Sequence, residues 1–234
     1  MMAAEKIIVA LDTQDPQKCR KLLHDLSSTK VWVKIGMELF YAEGPRVIEE
    51  AKDLGLNVFL DLKLHDIPQT VASALKALSR LPVDMINVHA AGGLEMMEKS
   101  YEVFSGMKKR PLLIAVTQLT STSQAQMNHE QRILGSVEDS VLHYAKLAQK
   151  ARFDGVVCSP HEIKLIKNNL ASSFLTVTPG IRPQGSETHD QKRITTPQEA
   201  LDLGTDYMVI GRPITAAPDP REALQTILKG LNHA

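Results

Sequence analysis

The sequence predicts an α/β protein that folds as a single (β/α)8 TIM barrel over residues 1–234. Two observations support this prediction: short apolar runs recur along the chain, and amphipathic stretches separate them. Continuous apolar strands that alternate with helices are typical of a parallel sheet covered by helices. Eight such units in 234 residues also fit the usual size of this barrel, which is about 250 residues.

Eight short apolar runs predict the strands, in order along the chain. They are Ile7–Leu11, Val31–Ile35, Val58–Leu62, Met85–Val88, Leu112–Thr117, Gly155–Cys158, Phe174–Val177 and Tyr207–Ile210. Helices are predicted between them because apolar residues recur three and four positions apart. Examples are Val47, Ile48, Ala51 and Leu54, and then Val71, Leu75 and Leu78.

A doubly wound open sheet is the competing fold, since it also alternates strands with helices. Such sheets often carry a Gly-x-Gly-x-x-Gly turn after the first strand. Here Leu11-Asp12-Thr13 stands at that point. The barrel is therefore favoured.

The charge balance argues against two classes of protein. Twenty-seven basic and twenty-seven acidic residues give a formal net charge of zero. A general nucleic-acid binder or a polybasic membrane protein would carry an excess of positive charge. Any anion site must therefore be local.

We expect a cytoplasmic protein. Cys19 and Cys158 lie far apart and outside any metal-ligand spacing, so neither a disulfide framework nor a zinc site is predicted. No apolar run approaches the length of a membrane span. Residues 1–11 lack the basic start, apolar segment and cleavage site of a signal peptide.

The third predicted strand ends in charged residues, in the stretch Asp61-Leu-Lys63-Leu-His-Asp66. Side chains alternate along a strand, so Asp61 and Lys63 should share one face. Catalytic groups of barrel enzymes lie at the C-terminal ends of the strands, which makes this pair a candidate site. The alternative is a structural salt bridge, with Asp66 capping the helix that Pro68 opens.

Polar residues follow other strands as well. Asp12, Lys34, His89 and the segment Thr117–Ser121 stand at the ends of strands one, two, four and five. Lys34 could simply pair with Asp12. A histidine at a strand end is more often structural than catalytic, so His89 is left out of the predicted site.

The last two loops predict a phosphate site, which in such barrels often lies after strands seven and eight. Gly180 precedes Arg182 in one loop, and Gly211 precedes Arg212 in the other. Glycine lets backbone N–H groups approach an anion, and the arginine fork matches phosphate oxygens. The polar stretch 182–193 has no apolar period, which favours a mobile lid over a plain surface loop.

These motifs together resemble the orotidine 5′-phosphate decarboxylase family. The resemblance starts from Asp61-x-Lys63-x-x-Asp66 followed by Ile-Pro-x-Thr70, and it covers essentially the whole chain. The other matching segments are Val9-Ala-Leu-Asp12, Lys34-Ile-Gly, Leu119-Thr120-Ser121, Thr178-Pro-Gly-Ile-Arg182-Pro, Asp190-Gln191 and Ile210-Gly211-Arg212. The Asp-x-Lys-x-x-Asp core is shared with sugar-phosphate decarboxylases and aldolases of related barrels, whereas the residues around it favour the nucleotide enzyme.

The resemblance implies conversion of orotidine 5′-phosphate (OMP) to UMP and CO2 in pyrimidine biosynthesis. No cofactor and no metal would be needed, and Lys63 would deliver a proton to the carbanion at C6. The family works as a homodimer with its sites at the subunit interface. Lys34, Asp61 and Lys63 would form a line of alternating charges with Asp66 of the partner subunit.

The resemblance also assigns the substrate contacts. Asp12 and Lys34 would bind ribose hydroxyls, and Thr120 would meet the pyrimidine amide edge. Thr70 would cross to the neighbouring site. The phosphate would be held by Gln191, Gly211 and Arg212, with Arg182 opening the lid beside it.

Two alternatives remain open. The first is a Schiff-base aldolase or a metal-assisted sugar-phosphate decarboxylase, in which Lys63 or Lys34 is a nucleophile or Asp61 binds Mg²⁺. The second is a non-catalytic nucleotide-phosphate sensor, which would not need the Asp61/Lys63 pair.

Overall fold

The strands of the molecule close into a barrel. The computed structural model describes residues 2–183 and 195–232. Each strand pairs in parallel with the next, and β8 pairs with β1. The strands are β1 (Ile7–Ala10), β2 (Trp32–Gly36), β3 (Asn57–Leu64), β4 (Met85–His89), β5 (Leu112–Val116), β6 (Gly155–Val157), β7 (Leu175–Thr178) and β8 (Tyr207–Ile210). The predicted (β/α)8 barrel is confirmed, and the open-sheet alternative is wrong.

Helices follow the strands and cover the outside of the barrel. They are α1 (Pro16–Leu26), α2 (Met37–Glu43), α3 (Arg46–Asp53), α4 (Pro68–Leu78), α5 (Gly93–Phe104), α6 (Gln124–His129), α7 (Val137–Lys150), α8 (Ile163–Asn169), α9 (Pro197–Leu203), α10 (Arg212–Thr215) and α11 (Pro220–Asn232). Short 3-10 helices occupy Ala3–Lys6, Ala90–Gly92 and Pro160–Glu162. Among the described residues, no helix is both long and apolar enough to cross a membrane.

Local sequence explains where several helices begin. Asp15 precedes α1, and its carboxylate accepts hydrogen bonds from the backbone N–H groups of Gln17 and Lys18. Pro16 takes the first helical position, where its missing N–H costs nothing. Ser136 caps α7 in a similar way, with its hydroxyl accepting from the N–H of Asp139.

Alternation along the strands separates two cores. In β1, Ile7 and Val9 belong to the large core between the sheet and the helices, whereas Ile8 belongs to the smaller core inside the barrel. In β3, Phe59 lies in that inner core. Asp61 is two residues further on, so it lies on the same face, closer to the C-terminal mouth.

Three aspartates repeat one arrangement at the N-terminal end of the barrel. Each directly precedes an even-numbered strand, accepts a hydrogen bond from a backbone N–H near the start of the preceding strand, and pairs with a cation. Asp84 accepts from Val58 N–H at 2.8 Å and Lys52 Nζ at 2.6 Å. Asp154 accepts from Leu113 N–H at 2.7 Å and Arg110 Nη1 at 2.6 Å, and Asp206 accepts from Thr176 N–H at 2.7 Å and Lys167 Nζ at 2.6 Å. Each carboxylate thus ties two strands and a basic side chain together.

Candidate active site

A line of alternating charges lies at the C-terminal ends of β1, β2 and β3. Lys34 Nζ is 3.0 Å from Asp12 Oδ1 and 3.3 Å from Asp61 Oδ2. Lys63 Nζ is 2.7 Å from Asp61 Oδ1. Because these three strands are neighbours in the sheet, side chains from three distant segments of the chain meet here. The order in space is Asp12, Lys34, Asp61, Lys63.

Mutual attraction keeps the inner two groups of this line charged. Asp61 is 6% exposed, and burial alone would raise its pKa, but the ammonium groups of Lys34 and Lys63 outweigh burial and hold the pKa below its usual value. Burial would lower the pKa of Lys34, but Asp61 and Asp12 outweigh that effect and raise it. Both side chains are therefore ionised at neutral pH.

The backbone at Lys63 departs from an ordinary strand. Its φ is +50°, in the left-handed region, and the pairing of β3 with β4 shifts register between Leu60 and Leu64. This conformation costs a residue with a Cβ about 1–2 kcal/mol. The other non-glycine residues with positive φ among the described residues lie in connections between elements: Lys30, Arg132 and Arg152. The local strain in β3 thus coincides with the charged end of the strand.

Asn87 on β4 also belongs to this cluster, although it was not among the predicted site residues. It is 1% exposed. Its Nδ2 donates to Asp61 Oδ1 at 2.6 Å, and its Oδ1 accepts from the backbone N–H of Lys63 at 2.8 Å. The backbone N–H can only donate, so it fixes which end of the amide is oxygen. The signal in the sequence was a polar residue inside an otherwise apolar strand.

Two histidines stack beside the charged line. The rings of His65 and His89 lie 5.5 Å apart and nearly parallel. Burial, together with the nearby His65 and Lys63, lowers the pKa of His89. Its Nδ1 is buried and has no hydrogen-bond partner among the described residues. His89 is therefore neutral at pH 7.

A pocket of about 290 Å³ opens next to Asp61 and Lys63. Its apolar lining consists of Phe59, Val116, Leu119, Val157, Val177, Pro179 and Val209. Its polar lining consists of Lys34, Asp61, Lys63, Gln118, Thr120 and Ser121. The structure thus brings predicted Thr120 to the same cavity as the charged line. An apolar pocket with a few convergent polar groups is typical of a small-molecule site.

The predicted phosphate residues that the structure describes follow β7 and β8. Gly180 has a φ of +83°, a conformation that favours glycine. Arg182 is 7% exposed, and its Nη1 donates to the carbonyl of Ile181 at 2.9 Å. Burial, followed by the charge of Arg212, lowers the pKa of Arg182. The positive charges of the two guanidinium groups therefore repel each other, and an anion bound nearby would relieve that repulsion.

Gly211 lies beside the charged line. It directly precedes α10, which begins with Arg212. A Cβ built on Gly211 would stand 3.9 Å from Asp12 Oδ2 and 3.5 Å from the Cβ of Ala10. The end of β8 therefore approaches the end of β1, as expected where the barrel closes. Predicted Gln191 and most of the predicted lid lie outside the described residues.

Asp66 and Thr70 follow β3 and are exposed. Asp66 Oδ1 accepts from the N–H of the next residue, Ile67, at 2.6 Å. The N-cap of α4 is Ile67, and no side chain caps that helix. The alternative in which Asp66 caps α4 is therefore wrong. Thr70 lies in the first turn of α4.

Within residues 2–183 and 195–232, no group of three or more His, Cys, Asp or Glu side chains is arranged to hold a metal ion. Both oxygens of Asp61 face lysine ammonium groups.

Comparison with known proteins places the chain in a family. A sequence model described as the orotidine 5′-phosphate decarboxylase / HUMPS family matches residues 5–227. Orotidine 5′-phosphate decarboxylase of Staphylococcus aureus (strain Newman) is 51% identical over 220 residues, which are 94% of this chain and 95% of that protein.

Solved structures agree with this match. The crystal structure of orotidine 5′-phosphate decarboxylase from Lactobacillus acidophilus has a TM-score of 0.85 at 40% identity, and the alignment covers 97% of this chain and 99% of that one. An uncharacterized conserved protein from Geobacillus kaustophilus has a TM-score of 0.85 at 43% identity, covering 97% and 100% of the two chains. The chain belongs to the orotidine 5′-phosphate decarboxylase / HUMPS family.

Proposed function

We propose that the chain converts OMP to UMP and CO2 as a step of UMP biosynthesis in the cytoplasm, without a metal or other cofactor. The observation that carries this proposal is the alternating line of charges from Asp12 to Lys63 beside an apolar pocket. The S. aureus relative, 51% identical, bears the name of this activity. The pocket, the charged line and the phosphate loops together form the proposed site.

The proposed reaction breaks the bond between C6 of the pyrimidine and the carboxylate carbon. The bonding electron pair stays on C6 as CO2 departs, and the Lys63 ammonium then gives a proton to C6. Lys63 is left as a neutral amine and regains its proton from water. Asp61, 2.7 Å from Lys63 Nζ, orients that ammonium.

Repulsion between Asp61 and the substrate carboxylate cannot supply the whole rate enhancement. Two unit charges about 4 Å apart interact by about 4 kcal/mol at an effective dielectric of about 20. Enzymes lower barriers by about 8–23 kcal/mol. Most of the effect must therefore come from interactions that strengthen in the transition state, chiefly the Lys63 ammonium beside the developing carbanion.

The substrate phosphate would bind at the ends of β7 and β8. Arg182 and Arg212 carry like charges that affect one another, which favours a dianionic group near them. Gln191 and Gly211 would complete this phosphate site. Binding energy from the phosphate would hold the pyrimidine against Lys63, although the phosphate takes no part in the chemistry. Asp12 and Lys34 would bind the ribose hydroxyls, and Thr120 the pyrimidine amide edge.

The protein would act as a homodimer that shares its sites. Asp66 and Thr70 are exposed after β3, so both are accessible to a second subunit. Tyr41 after β2 and Ile67 after β3 are 71% and 67% exposed, which leaves large apolar side chains at the same end of the barrel. Burying such side chains between two subunits is favourable. Asp66 and Thr70 would then reach the partner's site.

A mixing experiment tests the shared site. Asp66→Ala and Lys63→Ala chains, each nearly inactive, are unfolded, mixed in equal amounts and refolded. If Asp66 serves the partner's site, one site of each mixed dimer has both residues intact, and roughly a quarter of all sites regain turnover. No recovery, in samples where mixed dimers have been demonstrated, would show that Asp66 serves its own chain.

The alternatives among enzymes are disfavoured by the charge states. A Schiff-base lysine must be a neutral amine, whereas the pKa of Lys34 is raised and Lys63 is paired with a carboxylate at 2.7 Å. A Mg²⁺ ion at Asp61 would have to displace two ammonium groups. Borohydride trapping tests the first alternative, and chelation tests the second.

The proposed function is tested by adding OMP and following the loss of the orotate absorbance. We expect complete conversion to UMP that is unchanged after exhaustive treatment with EDTA. Loss of turnover in EDTA and recovery with Mg²⁺ would favour the metal-dependent alternative. Binding of UMP without any turnover of OMP would favour the non-catalytic sensor.

A further inference from the structure

One buried amide joins the two groups on which the proposed reaction depends. Asn87 lies on β4, is 1% exposed, and contacts both Asp61 and Lys63. We propose that Asn87 is a positioning residue, which fixes the Asp61 carboxylate and the Lys63 backbone so that the Lys63 ammonium points at the reacting carbon. This inference rests on the proposed function and adds a residue to it.

The first contact restrains Asp61. Asn87 Nδ2 donates to Asp61 Oδ1 at 2.6 Å, and the same oxygen lies 2.7 Å from Lys63 Nζ. Asp61 Oδ2 faces Lys34 Nζ at 3.3 Å. The carboxylate is thus held on three sides, and rotation would break several charge-assisted hydrogen bonds together. Without the amide, only the two lysines would orient Asp61.

The second contact restrains the backbone of Lys63. This N–H lies where β3 and β4 shift register, and it donates to Asn87 Oδ1 at 2.8 Å. A residue held at a φ of +50° persists only if its surroundings stabilise that conformation. The Asn87 carbonyl is one such contact. It therefore helps to set the direction in which the Lys63 side chain leaves the strand.

An amide suits this position because it offers a donor and an acceptor without a charge. The charged groups around Asn87 are Asp61, Lys63 and Lys34. Two titratable groups also lie nearby: His89, two residues further along β4, and His65, whose ring stacks on that of His89. Aspartate at position 87 would keep the acceptor for Lys63 N–H but would put a second carboxylate against Asp61. Alanine would remove both contacts.

Two variants separate the two contacts. In Asn87→Asp, the new carboxylate lies against the carboxylate of Asp61, so one pKa of this pair rises. Because turnover requires ionised Asp61, we expect the acid limb of the kcat profile to move up by about one pH unit or more. In Asn87→Ala, we expect kcat to fall roughly 10- to 100-fold at all pH values, with KM for OMP changed less than about threefold.

A matched control distinguishes positioning from a loss of stability. Thr176 on β7 is also a fully buried polar residue, but it hydrogen-bonds to Asp206 at the opposite end of the barrel. Thr176→Val should lower the melting temperature and leave both kcat and its pH profile unchanged. If the Asn87 variants behave like Thr176→Val, the inference is wrong. Should Asn87→Ala fail to fold, the near-isosteric Asn87→Asp still provides the pH profile.

The outcomes also separate this inference from the proposed function. If the unaltered chain does not convert OMP, the proposed function falls, and the role of Asn87 in it falls as well. If the unaltered chain converts OMP and the Asn87→Asp profile is unshifted, only the role of Asn87 is overturned. A shifted acid limb with a nearly unchanged KM supports both.

Discussion

The aspartates at the two ends of the barrel strands are held in different ways. At the N-terminal end, Asp84, Asp154 and Asp206 each accept from one basic side chain and from a backbone N–H of the preceding strand. At the C-terminal end, Asp61 faces two lysines and a side-chain amide. The first arrangement fixes backbone to backbone, whereas the second holds side chains in a line.

This difference suggests different roles: the N-terminal ion pairs stabilise the fold, whereas the C-terminal line serves the proposed reaction. Each N-terminal ion pair is complete in itself and lies away from the pocket, so its loss should cost stability alone. The C-terminal line ends at Lys63, whose side chain is 29% exposed and lines the pocket. Losing Lys63 still leaves Asp61 with Lys34 and Asn87, so the fold should tolerate the change.

The largest effect is expected from Lys63→Ala. We expect kcat for OMP to fall by at least about 1,000-fold, because the variant lacks both the proposed proton donor and the positive charge proposed to lie beside the carbanion. UMP should still bind, since its phosphate contacts are unchanged. Turnover with OMP and calorimetric binding of UMP measure the two properties. A variant that keeps a tenth of the normal kcat would exclude Lys63 as the proton donor.

Arg212→Ala should give the next largest effect. Removing the proposed charge-assisted contact to the phosphate should lower kcat/KM for OMP by about 2–3 kcal/mol, which is roughly 30- to 150-fold. Orotidine without its phosphate lacks the lost contact and serves as the control substrate. Equal losses for the two substrates would place Arg212 away from the phosphate.

Lys167→Ala tests the other end of the barrel. Lys167 Nζ donates to Asp206 Oδ2 at 2.6 Å and to the carbonyl of Phe174 at 2.9 Å. Losing both contacts should lower the free energy of unfolding by about 1–3 kcal/mol, with kcat unchanged. Urea denaturation and an OMP assay on the same sample provide both values. A large loss of kcat here would remove the proposed distinction between the two ends.

His89 should give the smallest effect, on the pH dependence of stability. Its pKa in the folded protein lies below the usual 6.5. The folded state therefore binds fewer protons than the unfolded state below pH 6.5, and stability falls as the pH drops through the folded pKa. His89→Gln cannot titrate, so its free energy of unfolding should fall less between pH 7 and 5. Identical slopes for the two proteins would contradict the shift.

Sequence patterns predicted the features that depend on residues close together in the chain, namely the strands and the faces of their side chains. The apolar period located all eight strands, with ends displaced by at most two residues. Alternation along β3 predicted that Asp61 and Lys63 would meet, and they do. The rule that functional side chains follow the strands of such barrels also predicted Asp12 and Lys34. Both lie in the same charged line as Asp61.

Contacts that depend on the pairing between strands were missed. Asn87 reaches Asp61 and Lys63 from the neighbouring strand, where β3 and β4 shift register, and no local pattern predicts such a shift. The N-terminal aspartates did leave a signal, since Asp84, Asp154 and Asp206 each directly precede an apolar strand. Their basic partners, however, come from other elements, so these pairs could be identified only from the folded barrel.

The most direct test restores only the missing ammonium. Lys63→Ala is assayed with OMP in the presence of methylammonium, which can donate a proton, or tetramethylammonium, which has the same charge but no N–H. If Lys63 is the proton donor, methylammonium should raise turnover with saturation and tetramethylammonium should not. Equal recovery with both ions would contradict the proton-donor role, because positive charge alone would then be sufficient.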